Sequence, residues 1–168
     1  VSIGSGNNAA HYFGGTFDGQ NHCIYNITSV GSLEYCGLFG CVSSGGTIKN
    51  LGVVDANFIN PAYTSMGVLV GWANDAEILN CYTTGSIQSS HEEGGFHLIG
   101  GFIGQCTAGT RIIGCYSTAT VESLDKGDDC DTVGGLVGQW ENATDDSLIS
   151  DCWFGGKIVC EYPTSAVG

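Results

Sequence analysis

Charge is scarce in this chain of 168 residues, and what there is leans one way: 4 Lys and Arg stand against 17 Asp and Glu. A net charge of −13 excludes recognition of a nucleic-acid backbone, because that affinity comes from Lys and Arg displacing counterions. No run of 18 apolar residues occurs, so nothing reads as a membrane-spanning helix. Apolar residues do not recur at helical spacing either. They come in short β-branched or aromatic runs bounded by Gly, Asn and Ser, which points to strands throughout. Proline is nearly absent, at 2 residues. Among 9 cysteines there is no C-x-x-C pair, and the spacings match no zinc-ligand pattern. The one stretch reminiscent of a zinc peptidase, His91-Glu92-Glu93-Gly94-Gly95, has Gly95 where a second His must stand and two glycines where a helix is needed.

What is abundant is glycine, 28 residues, and it is periodic. Val133-Gly134-Gly135-Leu136-Val137-Gly138 lines up position by position with Ile99-Gly100-Gly101-Phe102-Ile103-Gly104, Met66-Gly67-Val68-Leu69-Val70-Gly71 and Tyr35-Cys36-Gly37-Leu38-Phe39-Gly40. After a polar turn, each copy carries a second signature: Ile48-Lys49-Asn50-Leu51, Ile78-Leu79-Asn80-Cys81, Ile112-Ile113-Gly114-Cys115 or Ile149-Ser150-Asp151-Cys152. Successive copies start about 31–34 residues apart, a period that marks stacked repeat architectures. The expected fold is all-β: a parallel β-helix, or β-solenoid, of about five rungs with loop insertions. It forms one domain over residues 1–168, with a lead-in at 1–12, a first rung at 13–34 and repeats at about 35–65, 66–97, 98–132 and 133–168.

The tandem G-G-L-V-G followed by I-x-N-C-Y resembles the GLUG motif, a repeat of bacterial surface proteins that include adhesins and accessory regions of immunoglobulin A peptidases. Phe13-Gly14-Gly15-Thr16-Phe17-Asp18-Gly19-Gln20-Asn21-His22, with Ile24-Tyr25-Asn26-Ile27, is similar to the segment that commonly precedes such repeats. The match spans roughly residues 13–160. The resemblance implies a surface-exposed structural module and assigns no chemistry.

The cysteines divide into two sets. Cys81, Cys115 and Cys152 share one repeat column and read as a buried ladder of small apolar residues. Cys23, Cys36, Cys41, Cys106, Cys130 and Cys160 fall elsewhere and are the disulfide candidates, with 15 pairings open, as suits an oxidising extracellular setting. Asn142-Ala143-Thr144, in a polar insertion, is the accessible glycosylation candidate. Asn26-Ile27-Thr28 has the same pattern, but Asn26 is assigned to the repeat Asn column with a buried, backbone-bonding role.

Candidate chemistry is thin. Asp125, Asp128, Asp129 and Asp131, with Glu122 upstream, form an acidic loop that reads as solvated, with opportunistic Ca²⁺ as the alternative. Asp18 and His22 look like an acid–base pair but belong to the first rung, and read as structural. Asp55, Asp75 and Asp151 sit at turns, no two in equivalent positions, and Arg111 precedes a core strand. Tyr82, Tyr116 and Trp153 form an aromatic column facing away from the cysteines, read as a second packing layer in preference to an outer stripe. Trp72 and Trp140 follow the glycine-ending strand one position out of step.

No catalytic residue and no obligatory cofactor is expected. The favoured function is a noncatalytic extracellular or cell-surface structural and adhesive module. Its partners are further copies joined head to tail through the solenoid ends, glycans, or host and surface proteins. The alternative is a carbohydrate-active β-helix enzyme, a polysaccharide lyase or hydrolase, or a fragment of one. It requires carboxylates brought together from different rungs.

Overall fold

The structure, a computed structural model, describes residues 2–4, 11–31, 33–60, 64–89, 97–124, 132–161 and 166–167. The chain is a parallel β-solenoid, as the repeat period requires. It opens with β1 (Thr16–Tyr25) and β2 (Thr28–Val30). The next coil is β3 (Tyr35–Cys36), β4 (Phe39–Val42) and β5 (Thr47–Asn60). After it come β6 (Thr64–Gly67), β7 (Val70–Asn74), β8 (Glu77–Leu79) and β9 (Tyr82–Ser89). The following coil is β10 (His97–Gly100), β11 (Ile103–Thr107), β12 (Arg111–Ile113), β13 (Tyr116–Ser117) and β14 (Thr120–Ser123). The last is β15 (Thr132–Gly134), β16 (Val137–Glu141), β17 (Leu148–Ser150), β18 (Trp153–Phe154) and β19 (Lys157–Cys160), trailed by β20 (Ala166–Val167).

Each coil visits three faces in turn. A 5-stranded sheet is ordered β20-β15-β10-β6-β3, a 4-stranded sheet β16-β11-β7-β4, and a broad 11-stranded sheet takes the remaining strands. All pairings between the described strands are parallel. The 4-stranded sheet counts the full coils, and β1 with β2 adds one further layer to the broad sheet alone. Every interior strand thereby satisfies its backbone N–H and C=O groups on the coils above and below.

The glycine pairs of the repeat are steric necessities. Gly67, Gly100 and Gly134 stack in register where the 5-stranded sheet turns into the 4-stranded one. A Cβ on Gly100 would lie 1.9 Å from the Ile103 carbonyl oxygen, and one on Gly134 would lie 1.8 Å from that of Val137. Four residues on, a Cβ on Gly104 would lie 2.4 Å from the backbone nitrogen of Met66, on the strand of the preceding coil across the corner. The two sheets therefore approach to backbone contact, which no side chain permits.

The first copy departs from the position-by-position alignment. Cys36 pairs with Met66 and Phe39 with Val70, so two residues turn the corner where the later copies use three. Tyr35-Cys36 consequently sits one position off the alignment read from sequence.

A second recurrent corner splits the broad sheet. Asn50, Asn80, Gly114 and Asp151 there have φ of +54°, +52°, +66° and +56°, the left-handed region that Asn, Asp and Gly tolerate best. The side chains form a ladder: Asn80 Nδ2 donates to Asn50 Oδ1 at 3.3 Å, and Asn50 Nδ2 to Asp18 Oδ1 at 3.1 Å. Between the corners, alternate residues point inward. Ile48, Ile78 and Ile112 form one fully buried column, Phe39, Val70 and Ile103 another. Each such side chain contributes roughly 1.5–3 kcal/mol by leaving water. Inside, the Gly101 carbonyl accepts from Thr83 Oγ1 at 2.8 Å and from Ser117 Oγ at 3.0 Å.

Candidate functional site

Three surfaces stand apart from this scaffold. The first is a groove of ≈ 510 Å³ along the turns that carry the chain from the 4-stranded sheet into the broad one. Its walls come from all the full coils: Ser44 to Thr47, Asp75 to Glu77, Gly109 with Arg111, and Asp146. Ser44 Oγ donates to Asp75 Oδ2 at 2.6 Å, and Arg111 Nε lies 3.6 Å from Glu77 Oε1. A Cβ on Gly109 would lie 2.9 Å from Asp75 Oδ1 and 3.4 Å from Asp146 Cβ, so these two side chains flank one glycine from opposite sides. Two carboxylates from different coils thus share an open cleft, an arrangement that can accept hydrogen bonds from hydroxyl-rich ligands. The sequence reading missed it because the repeat alignment gives Asp75 no acidic counterpart. The available signal was Glu77-Ile78 beneath Arg111-Ile112, which places opposite charges side by side on adjacent coils.

The second surface is the aromatic column. Tyr82 stacks on Tyr116 with ring centroids 4.9 Å apart and planes within 5°, and Tyr116 stacks on Trp153 at 4.5 Å and 4°. Trp153 is 51% exposed, and both tyrosines are half-buried. The column is therefore an outer stripe and not a packing layer, because alternation along β9, β13 and β18 turns its members outward while Cys81 and Cys115 turn in. Stacking at the strand spacing covers the ring faces with one another. Above Tyr82 the column holds Gly52 and then Cys23. The Tyr82 ring leans over Gly52, and its Oη lies 2.9 Å from Cys23 Sγ. That hydrogen bond, ahead of burial, pushes the Tyr82 phenol up to about 12.

The third is the carboxy-terminal end of the coil stack. Gly135, Leu136, Val137, Ile149, Phe154 and Ile158 line an apolar hollow of ≈ 330 Å³. Ile149 stands in the column of Ile48, Ile78 and Ile112, all 0% exposed, yet it is 47% exposed itself.

Cys23, Cys36, Cys41 and Cys106 are thiols, and none of the disulfides expected among the described candidate cysteines is present. Register explains this: their cross-coil neighbours are Gly52, Met66, Trp72, Ala73 with Trp140, and Ser123, never another cysteine. Cys130 lies outside the described residues. Cys36 and Cys41 are buried, and desolvation pushes each thiol up to about 12; burial pushes Cys106 up as well. In the shared column Cys81 and Cys115 are buried and Cys152 is half-buried. Their sulfurs serve the left-handed corner: the Cys81 N–H points to Cys115 Sγ at 3.3 Å, and the Cys115 N–H to Cys152 Sγ at 3.4 Å. Each thiol in turn donates to the carbonyl two residues back, as Cys115 does to Ile113 at 3.3 Å.

The remaining candidates separate. Asp18 accepts from the Gln20 N–H at 2.9 Å and from Asn50, and lies 3.6 Å from Lys49, which lowers its carboxyl below the usual range. These partners make it a turn residue. Asn26 is exposed with φ +56°, beside Asp55 at φ +55° and not in the Asn50–Asn80 ladder, so the buried role expected for it is wrong. Asn142 is exposed, with φ +50°, in the turn that leads toward Asp146. Trp72 packs between Tyr12 and Tyr35, whereas Trp140 faces the core next to Cys106. Asp125, Asp128, Asp129, Asp131 and the His91 stretch lie outside the described residues. Among the described residues, no three His, Cys, Asp or Glu side chains are placed to hold a metal ion, and no helix is long and apolar enough to cross a membrane. Compared with family models, with curated proteins and with solved structures, the chain matches none.

Proposed function

We propose that this chain is a noncatalytic structural and adhesive β-solenoid module of an extracellular or cell-surface protein, of the kind its GLUG-like repeats resemble, and that it joins further copies head to tail. The exposure of Ile149 carries the reading. A side chain that is fully buried in three coils and half open in the next belongs to a stack awaiting one more layer. The amino-terminal coil of a second copy fits that layer, since Phe17 pairs with Ile48 and so stands in the same column as Ile149. Joining different faces of identical units is a heterologous contact, and repetition of it makes a filament.

The test is sedimentation velocity and negative-stain microscopy of the purified chain over rising concentration. Rods that lengthen in steps of roughly 20–25 Å, the height of four to five coils, are expected. Ile149→Lys should return the sample to single units. Wild-type particles that stay single at every concentration would sink the head-to-tail reading.

The groove favours a second reading, a carbohydrate-active module, because Asp75 and Asp146 flank Gly109 from different coils. Turnover of a polyuronide or neutral glycan that is lost in Asp75→Asn would establish it. An inactive wild-type chain across a broad glycan panel would dismiss it.

A further inference from the structure

The outer aromatic column ends on a thiol, and neither structural stacking nor glycan handling makes use of that. We propose that the Cys23–Tyr82 pair is an oxidative modification site, closed to a thioether bond by one-electron oxidation that enters at Trp153 and travels down the stacked rings.

The argument rests on four placements. Trp153 is half-exposed, so an oxidant in solution reaches its indole directly. Its ring lies 4.5 Å from Tyr116 and nearly parallel to it, and Tyr116 lies 4.9 Å from Tyr82, with no side chain between any two. Tyr82 Oη and Cys23 Sγ are 2.9 Å apart and share a hydrogen bond, which brings the sulfur alongside the phenol oxygen and the ring edge next to it. Gly52 makes this contact available: a Cβ there would lie 2.6 Å from Tyr82 Cζ and 2.8 Å from Cys23 Sγ. A column that carries aromatic rings on three successive coils thus has a gap of one residue, and the gap is filled by the tyrosine reaching for the thiol.

The chemistry closes with two oxidising equivalents. The first removes an electron from the column, and Tyr82 releases its phenolic proton to water and becomes a tyrosyl radical. The second removes an electron from Cys23, whose thiol proton also passes to water, leaving a thiyl radical. Sγ then bonds to the Tyr82 ring carbon ortho to the hydroxyl, and the proton on that carbon moves to Oη. The net change is one S–H and one ring C–H exchanged for one S–C bond, with two protons released and two electrons delivered to the oxidant. Each electron reduces one equivalent of a one-electron oxidant such as a ruthenium(III) polypyridyl complex. This outcome differs from stepwise oxidation of an isolated cysteine to sulfenic and sulfinic acids, which adds oxygen and needs no aromatic partner.

The experiment is flash generation of ruthenium(III) polypyridyl in the presence of the reduced wild-type protein, followed by tryptic digestion and tandem mass spectrometry. A cross-linked pair of peptides joining Cys23 to Tyr82, lighter than their sum by two hydrogens, is expected. Tyr116→Leu interrupts the column, so the cross-link should be lost and oxidation products should collect on Trp153. Gly52→Ala pushes the ring off the thiol, so the cross-link should be lost while Trp153 is spared as in wild type. Circular dichroism on both variants confirms that the solenoid is intact. A cross-link that persists in Tyr116→Leu overturns the relay. A link from Cys23 to Tyr25, or oxygen addition at Cys23 with no link, overturns the site.

Discussion

The backbone N–H of Cys81 points at the sulfur of Cys115, 3.3 Å away on the next coil, and the N–H of Cys115 points in the same way at Cys152. A left-handed corner takes these N–H groups off the regular ladder, and a thiol is small and apolar enough to enter the core while still accepting a hydrogen bond. Cys115→Ala removes an acceptor for Cys81, a donor to Ile113 and the volume of one sulfur. The expected cost is about 1–2 kcal/mol, read as a lower urea midpoint with unchanged slope. A midpoint equal to wild type would mean that the column is only filler.

Ile112 and Ile149 are the same residue in the same column, one fully buried and the other 47% exposed. Truncation should therefore separate them. Ile112→Ala is expected to cost about 2–5 kcal/mol through lost burial and a cavity, and Ile149→Ala under about 1 kcal/mol in the single unit. Equal losses in dilute solution would show that Ile149 is covered even there.

Ala108 has φ +51°, in a turn column whose other members, Asp75 and Asn142, have φ of +50°. A left-handed alanine carries a strain of roughly 1–2 kcal/mol that glycine escapes, offset in part by the greater freedom of glycine in the unfolded chain. Ala108→Gly should raise the melting temperature, and Ala108→Val should lower it. Calorimetry decides, and a destabilised glycine variant would refute the argument.

Alkaline pH should unfold the protein earlier than carboxylate content suggests. Cys36 and Cys41 are raised from 9.0 to about 12 by burial, and Tyr35 is raised from 10.0 to about 12 in the same way. Between the unfolded and folded values the unfolded chain has lost protons that the folded chain retains, so stability falls as pH rises. Full stability from these groups holds below about pH 9 and drains away toward pH 12. Urea midpoints measured under reducing conditions from pH 7 to 11 test this, and Cys36→Ala should flatten the decline.

Two layers of information meet in this protein. The repeat made the fold legible from sequence: a 31–34-residue period, recurrent glycine pairs and an Asn, Gly or Asp before each Cys of the shared column repeat from coil to coil, while the left-handed backbone at that position is a finding of the structure. Strand pleat also set the aromatic column opposite the Cys column, but the expectation that it would be a second packing layer gave way to an exposed outer stripe. What the sequence did not decide is what each column meets. Cys23 and Tyr82 lie 59 positions apart and touch only because Gly52 stands between them. Asp75 and Asp146 flank Gly109 because successive coils bring distant turns to one groove. The absence of disulfides among the described candidate cysteines has the same origin, since pairing needs two cysteines in neighbouring places of one register and these have Gly, Met, Trp, Ala and Ser opposite them. Periodicity along the chain determines the coil, because it is a property of short segments. Contacts between coils depend on small offsets, such as the corner shortened by one residue between Cys36 and Phe39, and only the stacked structure resolves them.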